Sequence, residues 1–137
     1  DLVRVMGLGA GMMRSARINP FIFPPEQMLE MATINAAAAI GRQGDLGSIA
    51  VGKKADLTLF DTRGSDWRPL LNPLSNLVHS ARGGAATVIV DGRVVVSSGT
   101  VLTIDERDTL LEGQKRGLAI ASRSGLDEIG KSHWPCC

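Results

Sequence analysis

Apolar positions recur at helical spacing in several stretches of the chain and give way to β-branched runs between them. Residues 1–18 (DLVRVMGLGAGMMRSARI) predict a helix, with Leu2, Val5, Met6, Met12 and Met13 making its apolar side. Gly7, Gly9 and Gly11 each weaken that helix by ~1 kcal/mol relative to alanine, so it needs tertiary support or a close approach to another backbone. After the breaker Asn19-Pro20, Pro25 suits the first turn of a second helix and Glu26 complements its dipole. From Met28 to Gly41, Leu29, Ala32, Ala36 and Ile40 line one face, and Gly41 and Gly44 are its stop signals.

The pattern then changes. Gly52-Lys53-Lys54 predicts a turn and Ala55–Phe60 a strand, followed by an irregular polar loop over 62–71 that contains Trp67. Asn72 and Pro73 have the chemistry of an N-cap and first turn, for a short helix with Leu74, Leu77, Val78 and Ala81 inward. Gly83-Gly84 stops it. Two β-branched runs, Ala86–Val90 and Arg93–Ser97, joined by Asp91-Gly92, predict a hairpin. Both faces of those runs are apolar, so the hairpin is expected to be covered on both sides. A short strand over Val101–Ile104 is expected next. Asp105 then caps a last helix, roughly 106–124, with Leu110, Leu111, Leu118 and Ala121 facing in. So few strands cannot cover themselves, and the helices have apolar faces that need partners. The reading is α/β, and part of something larger.

Composition narrows the function classes. The 137 residues are 44% hydrophobic, and fifteen Lys and Arg against fourteen Asp and Glu leave a formal net charge of +1. That balance excludes a basic nucleic-acid stripe or an acidic tail as the main theme. No apolar run is long enough for a transmembrane helix, and no signal peptide is visible. Cys136 and Cys137 are adjacent and offer no disulfide framework, so a reducing compartment, the cytoplasm, is expected. The chain opens at Asp1 without an initiator methionine, which gives the expectation of a fragment.

Candidate chemistry is sparse. The run GLGAG (7–11) lacks both the full G-x-G-x-x-G pattern and a Walker lysine, and no strand precedes it. Lys53 reads as a solvated turn residue, and Asp56, beside Lys53 and Lys54, as the holder of a structural hydrogen bond. His79 reads as a packing histidine on the short helix. His133 with Cys136 and Cys137 has soft-metal chemistry but sits in a tail. Trp67 and Trp134 are expected to cover apolar seams.

Three segments in order carry a resemblance: MATINAAAAIG (31–41), LGSIAVGKKADLTLFD (46–61) and NPLSNLVHSARGGAATVIVDGRVV (72–95). Together they resemble the C-terminal end of the metal-dependent amidohydrolase superfamily, in the branch of chlorohydrolases, triazine hydrolases and deaminases of S-adenosylhomocysteine and methylthioadenosine. The family run AT-x-x-GA-x-x-LG is matched with Ala36 in place of Gly and Ile40 in place of Leu. Ile49-Ala50-Val51 replaces the usual acidic stretch before Gly52-Lys53. The closing run VSSGTVLTIDERDTLLEGQKRG also fits, so the resemblance covers about residues 1–124.

The resemblance implies a (β/α)8 barrel bearing the metal site, with a small β-sandwich built from both ends of the full chain. Residues 1–44 would be the last helices packed on the barrel, 45–104 the C-terminal share of the sandwich, and 105–137 a closing helix and tail. A barrel takes ~250 residues, more than this chain has. The implied activity is hydrolytic deamination or dechlorination of an aminated N-heterocycle, such as a purine nucleoside or a triazine. A divalent metal, usually zinc, would supply the hydroxide. The family's ligands are an H-x-H, further histidines and an Asp on the last strand. His79 and His133 make no H-x-H, so no catalytic or metal residue is assigned within the segment, whose role would be structural. Asp1 tempts as the last-strand Asp, but it runs straight into Leu2-Val3 and matches a later helix start. The partners implied are the missing N-terminal barrel portion and a small heterocyclic substrate, with no nucleic acid and no membrane; a homo-oligomer is open. Two alternatives stand beside this: a non-catalytic module that binds a partner through its apolar faces, and an amidohydrolase acting on an amide or cyclic imide.

Overall fold

The computed structural model describes residues 1–82 and 84–126. The chain divides into two compact units, Asp1–Thr100 and Val101–Cys137. Helices α1 (Leu2–Arg17), α2 (Pro25–Ala32), α3 (Ile34–Ala39) and α4 (Pro73–His79) belong to the first, and α5 (Glu106–Arg123) to the second. Strands β1 (Leu57–Leu59), β2 (Thr87–Val90), β3 (Arg93–Ser97) and β4 (Thr100–Val101) form a four-stranded antiparallel sheet in sequence order.

The core of the first unit is helical. Met6 and Ala10 of α1, Met28 of α2 and Val78 of α4 are buried together, with Val3, Phe23 and Ala32 packed against them. The side of α1 that packs therefore runs Val3, Met6, Ala10, and the expectation for this helix is corrected: Leu2, Val5 and Met12 are exposed. The reason is steric. At Gly7 an added Cβ would lie 2.5 Å from the carbonyl oxygen of Val78, so α4 fits only against the face where α1 has no side chain. The glycine run GLGAG is helix interior, which removes a phosphate-loop role.

The stretch expected as one helix over 28–41 is two. Thr33 leaves the helical region (φ −123°, ψ −85°), and its N–H donates to the Glu30 carbonyl, while its hydroxyl donates to the Leu29 carbonyl at 2.7 Å. The break shifts the buried phase, so Ala37 is buried while Ala36 and Ile40 are exposed. Gly47 sets that choice. It has a φ of +85°, and an added Cβ would meet the Ala37 methyl at 2.8 Å and the Thr33 carbonyl oxygen at 2.9 Å. Gly41 (φ +70°) ends α3, with the Gly41 and Arg42 N–H groups donating back to the Ala38 and Ala37 carbonyls.

Local signals elsewhere gave the expected elements. Asn72 Oδ1 accepts from the N–H groups of Leu74 and Ser75, and Asp105 Oδ1 from that of Asp108. Asp91 (φ +49°) and Gly92 (φ +77°) both adopt positive φ, as a tight turn between β2 and β3 requires. A bulge follows, because Val88 faces Val96 while Ile89 faces Val94. Strand β1 is shorter than Ala55–Phe60, and the strand expected over Val101–Ile104 is only Thr100–Val101.

Two burial expectations are corrected. Among the described residues no strand position is buried, so this chain does not cover its hairpin on both sides. No residue of α5 is buried either, and Leu110, Leu111 and Leu118 are exposed. Its helix forms from the Asp105 cap and its own ladder, not from packing of its apolar side.

Candidate functional site

Asp1 lies at the start of α1, and its carboxylate accepts from the N–H groups of Val3 (3.0 Å) and Arg4 (3.4 Å). It is the N-cap of the helix. Behind it a cleft of about 270 Å³ runs between α1, α2 and β1, lined by Leu2, Met6, Leu29, Ala32, Phe60 and Leu77 among others. The polar groups at its wall include Asp1, Thr33 and Thr58. Asp1 is committed to the cap and Thr33 to the Leu29 carbonyl. That arrangement can accept an apolar side chain, but it lacks the paired nucleophile and base that hydrolysis requires.

His79 ends α4 and is exposed. Its Nε2 stands 3.5 Å from Arg14 Nη1, and because a guanidinium can only donate, a hydrogen bond here requires Nε2 to accept. Arg14 is fixed there because its Nε and Nη2 donate to the carbonyls of Ile22 (2.9 Å) and Phe23 (2.8 Å). Partial burial and the Arg14 charge both lower the His79 pKa below its usual 6.5. His79 also borders an open hollow of about 370 Å³ shared with Ser65, Asp66, Arg68, Ser80 and Arg82. Arg14 carries no sequence signal for this role, since the residues it serves are distant in the chain or lie beyond the helix end.

The lysine pair serves the fold. Lys53 Nζ donates to the carbonyls of Gln43 (2.7 Å) and Leu46 (3.0 Å), so it ties its turn to the segment after α3 and is not merely solvated. Lys54 pairs with Asp91 at 2.9 Å, and Asp56 Oδ1 accepts from the Asp91 N–H at 2.6 Å. These contacts anchor the hairpin turn to the start of β1. Asp45 pairs with Arg42, and Asp61 with Arg63 at 2.6 Å. The Arg63 hydrogen bond holds Asp61 down to about 2. Trp67, in the 3₁₀ turn Ser65–Trp67, is 5% exposed and tilts against Phe60 at 6.4 Å between ring centroids. It fills a seam.

Among the described residues no three His, Cys, Asp or Glu side chains come together as a metal site, and no helix is long and apolar enough to cross a membrane. His133, Trp134, Cys136 and Cys137 lie outside the described residues. Asp1, Lys53, Lys54 and Asp56 thus hold the chain's own turns and a helix end.

The comparisons agree on the kind of protein that uses such a chain. It is 40% identical over 111 residues to the 5-methylthioadenosine/S-adenosylhomocysteine deaminase of Pyrococcus furiosus, covering 80% of this chain and 26% of that enzyme. It is 37% identical over 107 residues to the 5'-deoxyadenosine deaminase of Methanosarcina acetivorans, covering 77% of this chain and 24% of the relative. The chain thus spans about a quarter of the length of the curated relatives it matches. Among solved structures, an adenosine deaminase from Xanthomonas campestris with bound zinc shares the fold with a TM-score of 0.81 at 24% identity, over 85% of this chain and 27% of its own. Atrazine chlorohydrolase from Arthrobacter aurescens complexed with zinc gives 0.75 at 25% identity, over 82% and 25%. The amidohydrolase family model matches residues 7–95, most of the first unit, and the chain belongs to that family.

Proposed function

We propose that these residues are the C-terminal portion of a metal-dependent amidohydrolase that hydrolytically deaminates an aminated N-heterocycle of the purine-nucleoside kind, or dechlorinates a triazine-like ring. The observation that carries this is the match of three quarters or more of the chain to about a quarter of two adenosine-type deaminases. The segment's own task is structural. Residues 1–44 are the last helices on the barrel, 45–104 the C-terminal share of the small β-sandwich, and 105–137 the closing helix and tail.

Among the described residues no three potential ligands come together, and in this reading the ligands and the proton-transfer groups belong to the remainder of the protein. What this chain contributes is rigidity. Met6, Ala10, Met28 and Val78 lock α1, α2 and α4 together, and Lys53, Lys54 and Asp56 fix the turns that lead into the sheet. Exposed Leu2, Val5, Leu8 and Met12 on α1 are left for that remainder to cover. The partners are therefore the rest of the enzyme and a small heterocyclic substrate, in the cytoplasm.

The test is ammonia release. The intact, metal-loaded protein is expected to liberate ammonia from a 5'-modified adenosine and to lose that activity on chelation, whereas the 137-residue chain alone releases none. An intact metal-loaded protein that is inert across adenosine derivatives, guanine, cytosine and triazines would sink the deaminase reading.

A further inference from the structure

We infer that the hollow between the 3₁₀ turn and the end of α4 is a binding site for a phosphate-sized oxyanion, held by Arg68, Arg82 and the ring of His79. Three basic residues from two separate segments line this one concavity, and Ser65 and Ser80, whose hydroxyls can donate, line it with them. Asp66 is the carboxylate among the lining residues, and its Oδ2 accepts from the Arg82 backbone N–H at 2.9 Å. That bond ties the loop before α4 to the segment after it. The Arg68 guanidinium is oriented by the bond from its Nη1 to the Thr62 carbonyl at 3.0 Å, and it has further N–H groups to donate. Next to the ring, Arg14 adds a second fixed cation, which disfavours the imidazolium form of His79.

An oxyanion in the hollow reverses this balance. It places negative charge beside His79, favours the imidazolium, and adds a charge-assisted hydrogen bond. Binding and protonation are then linked: the anion raises the His79 pKa, and lower pH tightens the anion by the same factor. The groups facing His79 in this scheme are Arg14 from α1, Asp66 and Arg68 from the loop before α4, and Arg82 from the segment after it. The two exposed arginines make the site salt-sensitive, so it is measured at constant ionic strength.

Inorganic phosphate is the probe. The intact protein is titrated with it in a chloride background of fixed ionic strength, while the His79 ring protons are followed by NMR across pH. The expected result is a saturable shift, a His79 pKa raised by about one unit at saturation, and at least tenfold weaker binding in Arg68→Gln and Arg82→Gln. Arg82→Gln keeps the backbone N–H that Asp66 uses, and Arg68→Lys, which keeps the charge, should recover part of the affinity. Arg107→Gln, on α5, should bind as the parent does. Adenosine 5'-monophosphate as a second probe separates sources: equal affinity means that free phosphate suffices, and much tighter binding means that a nucleotide phosphate is the ligand. Linear shifts that chloride reproduces, or unchanged binding in both arginine variants with native spectra, would overturn the inference.

Discussion

Gly7 and Gly11 lie one turn apart on the same helix and are under opposite constraints. A methyl at Gly7 would press on the Val78 carbonyl oxygen, which is backbone and cannot swing away, whereas nothing lies within 4 Å of a methyl at Gly11. Gly7→Ala is therefore expected to destabilise by about 1–3 kcal/mol, overriding its better helix propensity. Gly11→Ala should stabilise by about 0.5–1 kcal/mol. Urea unfolding of the two variants with unchanged m-values would show the two signs. A second residue-scale effect concerns acid. The Arg63 hydrogen bond holds Asp61 at about 2, and the Arg42 hydrogen bond lowers Asp45, outweighing the opposing desolvation. Both folded values lie below the ordinary 3.8, so the unfolded chain binds protons first as pH falls. Their stabilisation is present above pH 4 and is lost toward pH 2. Asp61→Asn should flatten the dependence of the unfolding midpoint on pH in that window and lower the midpoint near neutrality, where the stabilisation is fully present.

At the scale of elements, ends were legible and faces were not. Asn72, Asp105, Gly41 and the Asp91-Gly92 turn act on groups only a few positions away, so their residue types alone announced them. The break at Thr33 and the buried phase of α3 depend on Gly47, which reaches them through space. The packing side of α1 depends on Val78 in the same way, and the largest apolar residues were a false guide to it. The candidate site divides along the same line. Asp1 as an N-cap is a local fact, while the basic surroundings of His79 gather Arg14, Arg68 and Arg82 from three segments. One helix end also departs from its usual chemistry. Ile18 closes α1 in the left-handed region at φ +49° and is 93% exposed, so a β-branched residue holds a conformation suited to glycine with no packing in return. Ile18→Gly is expected to stabilise the chain by about 0.5–1 kcal/mol, read as a higher thermal midpoint.

At the scale of the whole molecule, few side chains are buried. Among the described residues the buried apolar set is Met6, Ala10, Met28, Ala37, Trp67 and Val78, and each larger member contributes roughly 1.5–3 kcal/mol. Against about 1–2 kcal/mol of backbone entropy for every residue ordered, that is a small core. The apolar stripes left outside it, on α1 and on α5, are a surplus that a family member of full length would cover. This is the physical content of the proposal that the chain braces a larger enzyme.

The turns at Asp91-Gly92 and Ser98-Gly99 have a consequence for the order in which structure forms. They join β2, β3 and β4 through neighbouring residues, so this meander can close at little entropic cost. The helical cluster has the opposite arrangement, because Met6 must find Val78 across most of the first unit. Folding should therefore begin at the meander and finish at the helices, with the long loop closed late. Conservative truncations at Val88 and Val96 are expected to slow refolding, with φ values of about 0.5 or more, while those at Met6 and Val78 mainly speed unfolding. Refolding slowed by Met6 truncation and indifferent to Val96 would reverse that sequence of events. A protein built this way reads its turns first and its distant partners last.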